Sequence, residues 1–272
     1  MKNFFYINTL ILSISLFEFN TINYITNQYI QFFLILFIFL SRNYAMVQFI
    51  NYSLKHKESI NPSFSKIEDY KEDYPNDFNI HLLSSTTVEA ITYTLIKNAF
   101  YNNATIAISY NDILLFIPKS FIFELIFDFF HYWTHRILHT NKFLYTYIHK
   151  KHHKFNYPIP ILTFYHNPLD LIITNSIPQM FTLIIFPHIS FFQFNIILTY
   201  KSLIEISGHS SKKLYPSGSF SQFIWLPKLL NISLYTEDHT LHHSHNIYNF
   251  SKRFSIWDKL FETYKPPKSL KI

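Results

Sequence analysis

Long apolar runs dominate this sequence and limit the folds that it can adopt. A helix needs about 20 mostly apolar residues to cross a bilayer, and residues 29–41, YIQFFLILFIFLS, reach that length with their flanks. Residues 4–17, FFYINTLILSISLF, form a second candidate without a clear small-residue cleavage site, and residues 112–130 form a third. A soluble domain of this size seldom contains so many such runs. The sequence therefore predicts an integral membrane protein in which residues 4–17 belong to an anchor.

A fourth apolar tract has the length of two membrane passes. Residues 169–206 comprise 38 residues, broken near the middle by Pro187 and His188. Two spans of about 20 residues each fit this length, with the proline at the turn. The tract then leaves one side of the membrane and returns to it. We expect an all-α polytopic protein with about four transmembrane helices.

Composition divides the chain into three parts. Residues 53–80 are polar, mixed in charge and interrupted by prolines, which is typical of a linker. We therefore predict anchor helices and a linker over residues 1–104, a histidine-rich domain over residues 105–266, and a short tail over residues 267–272.

Histidine is concentrated in the second half of the chain. Of the 15 histidines, 13 lie between residues 131 and 245, in the patterns HYWTH, HKKHH and HTLHH and after Gly208. Residues three or four apart on a helix project from the same face, so each pattern can direct its imidazoles to one centre. The nine candidate metal ligands are His131, His135, His149, His152, His153, His209, His239, His242 and His243.

The ligand set predicts two metal ions. The chain has no cysteine, so nitrogen and oxygen are the available donors. One ion takes about four to six ligands, and nine imidazoles exceed that need. Imidazole suits iron, copper, nickel and zinc alike, so ligand type leaves the metal open.

Two functions that use similar histidine patterns fit this sequence poorly. In a zinc hydrolase, HYWTH would be the metalloprotease helix, but Tyr132 stands where HExxH carries its general base. A metal transporter would place its ligands at mid-membrane, whereas these histidines lie in polar, basic stretches after the apolar runs.

The combination of HYWTH, HKKHH and HTLHH resembles the three histidine boxes of the fatty acid hydroxylase and sterol desaturase superfamily. The resemblance extends from about Phe123 to Tyr264 and includes NPLD after the second box and FSIWDKLFETY near the end. That superfamily consists of integral membrane di-iron enzymes. The resemblance implies two iron ions, O2 as co-substrate and a cytosolic histidine-rich helical cap. It also implies oxidation of a membrane lipid by desaturation or hydroxylation. A sterol is favoured over the alternative, a fatty acyl or sphingoid chain.

The sequence also predicts that electrons come from another protein. It has only two glycines and no glycine-rich loop for a dinucleotide. The resemblance implies cytochrome b5 with its NAD(P)H reductase as donor, and the endoplasmic reticulum membrane, with the boxes facing the cytosol. The sequons at Asn231 and Asn249 should then stay free of sugar. The net charge of +6 comes from dispersed Lys and Arg, which does not indicate nucleic-acid binding.

Several polar residues near the boxes have roles that the sequence leaves open. Family members commonly carry a histidine before the proline after box two, but this chain has Asn167 there and His166 one residue earlier. Glu205 stands where distant members begin an HxxxH pair that would end at His209. The residues open between metal ligand and neighbour of a ligand are His139, His166, Glu205 and His245. Carboxylates that could accept the second N–H of a ligating imidazole are Asp128, Asp170 and Asp238.

Overall fold

The computed structural model of the protein describes residues 2–25, 27–61, 77–102, 107–215 and 217–267. These ranges are mostly helical, and their β-type pairings are two isolated bridges, Ser59–Lys212 and Ser233–Phe254. The predicted all-α class is confirmed. Residues 62–76 of the predicted linker and residues 268–272 of the predicted tail lie outside the described ranges.

The α-helices differ greatly in length. They are α1 Lys2–Tyr24, α2 Gln28–Leu54, α3 Phe78–Phe100, α4 Tyr110–Leu114, α5 Phe116–Thr140, α6 Lys142–Leu144, α7 Pro168–Leu171, α8 Ile177–Ile185, α9 Phe191–Gly208, α10 Trp225–Leu229, α11 Thr236–His245 and α12 Ile256–Leu260. Two π-helical turns, Tyr145–His149 and Ile172–Ser176, and two 3-10 turns, His152–Lys154 and Pro160–Phe164, complete the set. The second π turn joins α7 to α8, so Pro168–Ile185 is one continuous helix.

Contacts between α1 and α9 show that these helices are antiparallel. The ring of Phe19, near the end of α1, packs 5.7 Å from that of Phe191, at the start of α9. Near the start of α1, Asn8 accepts a hydrogen bond from the hydroxyl of Tyr200, which lies further along α9. The start of α1 therefore lies at the same end of the bundle as the end of α9, where His209 follows.

The other long helices share these two ends. The segment after α2 forms backbone hydrogen bonds with residues 211–213, beside the end of α9. At the start of α3, the Ser85 hydroxyl donates to the Phe164 carbonyl at 3.1 Å. After the end of α3, the Tyr101 hydroxyl donates to the Ile189 carbonyl at 3.2 Å, in the turn between α8 and α9. One end of the bundle, called the histidine end below, carries all three histidine boxes.

The apolar tract of residues 169–206 leaves the histidine end and returns to it, as predicted. Near its start, Asp170 accepts a hydrogen bond from His149 at 2.8 Å. Just after its end, Nε2 of His209 lies 3.1 Å from Nε2 of His239. The chain reverses over residues 186–190, which include the predicted Pro187.

Within the described ranges, three helices are long and apolar enough to cross a membrane: Phe4–Tyr24, Gln28–Leu54 and Pro168–Ile185. Two of the predicted spans are not among them. Helix α5 contains most of residues 112–130 and buries Glu124 and Asp128. Helix α9 buries fourteen of its 18 residues and so packs inside the bundle. The total of about four spans stays a prediction.

Because the chain has no cysteine, a single introduced cysteine can report on which side of the membrane it lies. Lys142, on α6 at the histidine end, and His188, in the turn at the opposite end, are both exposed. We expect a Lys142→Cys variant in sealed, cytosol-side-out microsomes to react with a membrane-impermeant maleimide. We expect His188→Cys to react only after detergent is added. The reverse pattern would place the histidine end in the lumen.

The natural sequons give a weaker test than the sequence suggests. Asn249 is 2% exposed, and its side-chain amide exchanges hydrogen bonds with the backbone of Lys265 at 3.0 and 2.8 Å. Once folded, the chain leaves this asparagine inaccessible whichever side it faces, so a missing sugar there does not report orientation. Asn231 is exposed, so of these two sequons it is the one that can report orientation in the folded protein.

Candidate metal centre

The first histidine box lies in the last turns of α5. His135 and His139 are one turn apart, so both rings project from the same face. The Nδ1–H of His135 donates to the carbonyl of Phe250 at 2.8 Å. His131, one turn earlier, donates from Nδ1 to the carbonyl of Thr174 at 2.6 Å. Thr174 lies in the π turn within Pro168–Ile185, a kind of turn that frequently marks functional sites.

The second box is helical, but not a regular α-helix. His149 ends one π turn, and His152 and His153 begin a 3-10 turn. The rings of His149 and His153 turn toward His135, whereas His152 turns toward His209. The expectation that this triplet shares one face is therefore wrong, since His152 and His153 are adjacent in sequence and point in different directions.

The third box lies on α11, which ends at a left-handed residue. Asn246 has φ 61°, a conformation that asparagine tolerates better than most residues. The chain reverses there, and the Nδ1–H of His242 donates to the carbonyl of Tyr248 at 2.7 Å. His239 and His243, four residues apart, point to one centre, and His242 points to the other.

Two groups of imidazoles result, and within the described residues these are the clusters whose side chains could hold a metal ion. In each group the candidate ligand atoms all lie within 4.8 Å of one another. The five-histidine group comprises His135, His139, His149, His153 and His242. The four-histidine group comprises His152, His209, His239 and His243.

Neighbouring Nε2 atoms lie at the spacing that a shared ion would impose. In the five-histidine group, Nε2 of His149 is 3.1 Å from that of His135, 2.9 Å from that of His139 and 3.0 Å from that of His153. In the four-histidine group, Nε2 of His239 is 3.1 Å from that of His209. Ligands about 2.1 Å from one metal are about 3.0–3.4 Å apart. Both groups fit a transition-metal ion.

The hydrogen bonds of the second ring nitrogens favour this fit. Carbonyl oxygens can only accept, so Nδ1 carries the proton in His135, His209 and His242. Nε2 then holds a lone pair directed at the other lone pairs of its group. These lone pairs repel one another unless a cation lies between them. The geometry suits a metal ion better than a hydrogen-bonded network of imidazoles.

Burial keeps the imidazoles neutral, the form in which they bind metals. Burial is the main cause that lowers the pKa of His242 to about 3 and the pKa of His209 to about 4. Neighbouring imidazoles add to the effect at His153 and His239, whose pKa values lie well below the ordinary value. At neutral pH these side chains offer lone pairs instead of repelling a cation.

The division of the two triplets explains why the pattern HxxHH occurs twice. In HKKHH, the outer pair His149 and His153 joins the five-histidine group, and His152 joins the four-histidine group. In HTLHH the assignment is reversed, since the outer pair joins the four-histidine group and His242 joins the other. Each triplet therefore links both groups.

Eight of the nine predicted ligands lie in the two groups, and their role as ligands stays a prediction. The ninth, His131, lies outside both, with its ring centre 5.1 Å from that of His135. His139, which the sequence left open, lies inside the five-histidine group. Its signal in the sequence is the spacing of four residues after His135.

Glu205 lies beside the four-histidine group without pointing its carboxylate at it. One carboxylate oxygen is paired with the ammonium groups of Lys201 at 3.0 Å and Lys252 at 2.9 Å. Its backbone carbonyl accepts the Nδ1–H of His209 at 2.7 Å. Glu205 thus orients a candidate ligand through its backbone and holds Lys252 through its side chain.

The other open histidines also lie outside the two groups. His166 is buried, and its Nε2 lies 3.3 Å from the Ser85 hydroxyl. His245 is exposed on α11 and contacts the hydroxyl of Ser244.

A cavity lies next to both groups. Histidines of both groups line it together with His131, Asn175, Glu205 and Lys252. The ammonium of Lys252 also donates to the side-chain oxygen of Asn175 at 3.0 Å. Sequence reasoning missed Lys252 and Asn175, because neither belongs to a histidine motif.

The three predicted carboxylates have different roles. Asp170 accepts the Nδ1–H of His149 at 2.8 Å, as expected. Asp128 instead accepts backbone N–H groups of residues 252–254. Asp238 accepts the backbone N–H of Tyr235 at 2.9 Å, at the start of α11.

We expect Asp170→Asn to weaken metal binding at the five-histidine group by about 10–100-fold. Loss of a carboxylate that orients a ligating imidazole typically has this effect, and the asparagine amide removes the charge that holds the His149 ring. Competition with a chelator during iron loading measures the change. Asp238→Asn is the matched control, because its carboxylate caps a helix; an equal loss there would contradict a specific role for Asp170.

Several known proteins are similar in sequence to the part of the chain that contains the histidine boxes. Residues 120–263 match the family model described as fatty acid hydroxylase. A very-long-chain aldehyde decarbonylase of Oryza sativa subsp. indica is 30% identical over 151 residues, covering 52% of each chain. Sphinganine C4-monooxygenase 2 of Arabidopsis thaliana is 28% identical over 192 residues, covering 68% of this chain and 69% of its own. Methylsterol monooxygenase 1 of Rattus norvegicus is 29% identical over 138 residues, covering 50% of this chain and 43% of its own.

The chain spans about half the length of the rice relative, and no solved protein structure matches it. The family match covers more than half of the chain and contains every histidine of the two groups. The chain belongs to the fatty acid hydroxylase family.

Proposed function

We propose that this protein catalyses the O2-dependent oxidation of a C–H bond in a membrane lipid, with a sterol as the favoured substrate. The observation that carries the proposal is the pair of buried imidazole groups, in which His135 and His242 donate outward from Nδ1 and so direct Nε2 inward. Such a pair suits two ions side by side. Iron is the proposed metal because the family resemblance implies di-iron chemistry.

Each of the two ions would have its own set of histidine ligands. The five-histidine group would hold one iron and the four-histidine group the other. When bound, the reduced pair supplies the activation of O2: hydroxylation consumes RH, O2, two electrons and two protons and yields ROH and water. Desaturation uses the same input and yields an alkene and two waters.

The chain's own residues orient the ligands and restrict water. Carbonyls of Phe250 and Tyr248 fix two rings of the five-histidine group, and Asp170 fixes a third. Burial of the imidazoles removes them from bulk solvent, which protects an oxidising site from side reactions. Pro168–Ile185 begins at this site and is apolar enough to lie in the bilayer, so a lipid has a short path from the membrane.

Electrons would come from a separate donor, for which cytochrome b5 with its NAD(P)H reductase is the proposed identity. Exposed Lys142, Lys150 and Lys154 lie around the second box. A cluster of positive charge at the surface steers an acidic partner toward it. Such docking requires the cytosolic orientation, in an endoplasmic reticulum membrane, that the labelling experiment tests.

The geometry favours oxidation over the zinc hydrolase. Tyr132 stands in the place of the general base, is fully buried and shares a hydrogen bond of 3.1 Å with Thr263. A hydrolase site uses three protein ligands and one ion, whereas two groups of five and four imidazoles are present. A sphingoid or fatty acyl substrate remains the alternative within oxidation.

The test is expression of the chain in yeast strains blocked at single steps of sterol desaturation or methyl oxidation. We expect one strain to regain its missing sterol, with iron at about two ions per purified chain. Restoration of hydroxylated sphingoid bases in a matching strain would favour the alternative substrate. Purified protein that loads one zinc and no iron would contradict the oxidation itself.

A further inference from the structure

We propose that a second, polar cavity beside the metal cavity binds a neutral hydroxyl group of the lipid, with Gln179 as the residue that recognises it. This inference rests on the proposed function in one respect, that the ligand is a lipid. The new elements are a hydroxyl-binding site and a role for Gln179 in specificity.

The cavity lies among α2, α3, α8 and α9 and adjoins the metal cavity. Leu171 and Asn175 line both cavities. Lys201, at the edge of the second cavity, is paired at 3.0 Å with Glu205, which lines the first. A lipid held with its polar group in the second cavity can therefore extend toward the imidazole groups.

Gln179 is the unusual member of the lining. It lies in the apolar helix Pro168–Ile185, one turn beyond Asn175, and its side chain is 6% exposed. In the part of the chain that the structure describes, no hydrogen bond to its amide is present. Its amide atoms open onto the cavity and are not enclosed by protein atoms, and nearly all buried polar groups find a partner. The amide carries both a donor and an acceptor, so a hydroxyl group satisfies it fully.

The charged side chains around the cavity are already paired with one another, which favours an uncharged ligand. Arg42 lies 3.5 Å from a carboxylate oxygen of Glu18 and 3.5 Å from one of Glu89. Lys201 is paired with Glu205. An anionic carboxylate or phosphate would have to break one of these pairs in a site of low dielectric. A neutral hydroxyl requires no such change.

The other residues that line the cavity include several polar side chains, so the cavity differs from an ordinary apolar pocket. The hydroxyls of Thr92 and Ser176 bond each other at 2.7 Å, and that of Tyr93 donates to Asn195 at 2.8 Å. These groups are satisfied and leave Gln179 as the group that needs a partner. Because ionisable and polar groups inside a membrane bundle are costly, they generally mark substrate or ion sites.

The experiment measures binding rather than turnover. The full chain, in nanodiscs of dioleoylphosphatidylcholine, is titrated with two matched pairs of lipids: cholesterol and its 3-O-methyl ether, and sphinganine and its di-O-methyl ether. The two pairs distinguish a sterol hydroxyl from a sphingoid one. In at least one pair, we expect the free hydroxyl lipid to bind about tenfold more tightly than its ether. Gln179→Leu should remove that difference.

Met180→Leu is the matched control, because Met180 neighbours Gln179, does not line the cavity and is exposed. It should keep the discrimination of the natural chain. Equal binding of alcohol and ether in both pairs would overturn the proposal and leave water as the occupant. Discrimination that survives Gln179→Leu would also overturn it. Iron content and oxygen consumption, measured on the same samples, report separately on the proposed function.

Discussion

Replacing His149 by alanine is expected to remove the metal ion of the five-histidine group and to lower lipid oxidation at least about 100-fold. Its Nε2 lies within 3.1 Å of three other Nε2 atoms, those of His135, His139 and His153. No other imidazole has as many such contacts in the described residues. Loss of even an orienting partner of a ligand costs about 10–100-fold, and loss of a central ligand should cost more.

Iron analysis gives the sharper measurement for this variant. We expect about one iron per chain instead of about two, because the four-histidine group keeps all its ligands. His152→Ala should instead remove the ion of the four-histidine group and keep that of the five-histidine group, since His152 belongs to the four-histidine group. The two variants therefore lose different ions, which a spectroscopic difference between the remaining sites would reveal.

His245→Ala is the matched control for both variants. It makes the same substitution in the same histidine-rich region, but its side chain is exposed on α11 and lies outside both groups. Iron content and activity should stay at the level of the natural chain. A His149→Ala protein that still binds two iron ions would remove His149 from the ligand set.

The spacing of the histidines was sufficient to predict which parts of the chain meet. Histidines three and four apart can share a helix face, and the copies at residues 149–153 and 239–243 do meet in space. The length of the apolar tract between them also predicted that both ends lie on one side. Residue spacing and segment length can be read directly from a single sequence.

The sequence could not predict how the triplets are divided. Consecutive residues of an α-helix point about 100° apart, and on α11 His242 and His243 already point to different groups. Around the second box, a π turn followed by a 3-10 turn also directs His152 and His153 to different groups. Such irregular turns depend on packing against other elements more than on local propensity. The same holds for Lys252, which reaches the cavity because Asp128, on a distant helix, holds its backbone.

Helical packing likewise determined which apolar runs are buried. Residues 191–206 were predicted to form the second pass of the hairpin, yet α9 carries Lys201 and Glu205 and packs among other helices. Hydropathy measures the tendency to leave water and does not distinguish a protein interior from a bilayer. The contacts of α9 with α1 and α2 supply what the sequence lacks.

Asp128→Ala is expected to lower the free energy of unfolding by about 3 kcal/mol or more. Its carboxylate is fully buried and accepts the backbone N–H groups of Lys252 at 2.7 Å, Arg253 at 3.0 Å and Phe254 at 2.9 Å. Alanine leaves these three donors without a partner, and each unsatisfied buried group costs about 1–3 kcal/mol. Thermal unfolding in detergent, followed by circular dichroism, measures the change.

Asp112→Ala provides the comparison, because Asp112 also accepts a backbone N–H, that of Ser109 at 2.8 Å, but at a helix start. Loss of such a cap costs about 1 kcal/mol. If Asp128 instead acted on the metals directly, its loss would remove iron below the unfolding temperature. Because Asp128 fixes the segment that carries Lys252 and the Phe250 carbonyl, we expect iron loss to follow unfolding. Equal destabilisation in the two variants would contradict this anchoring role.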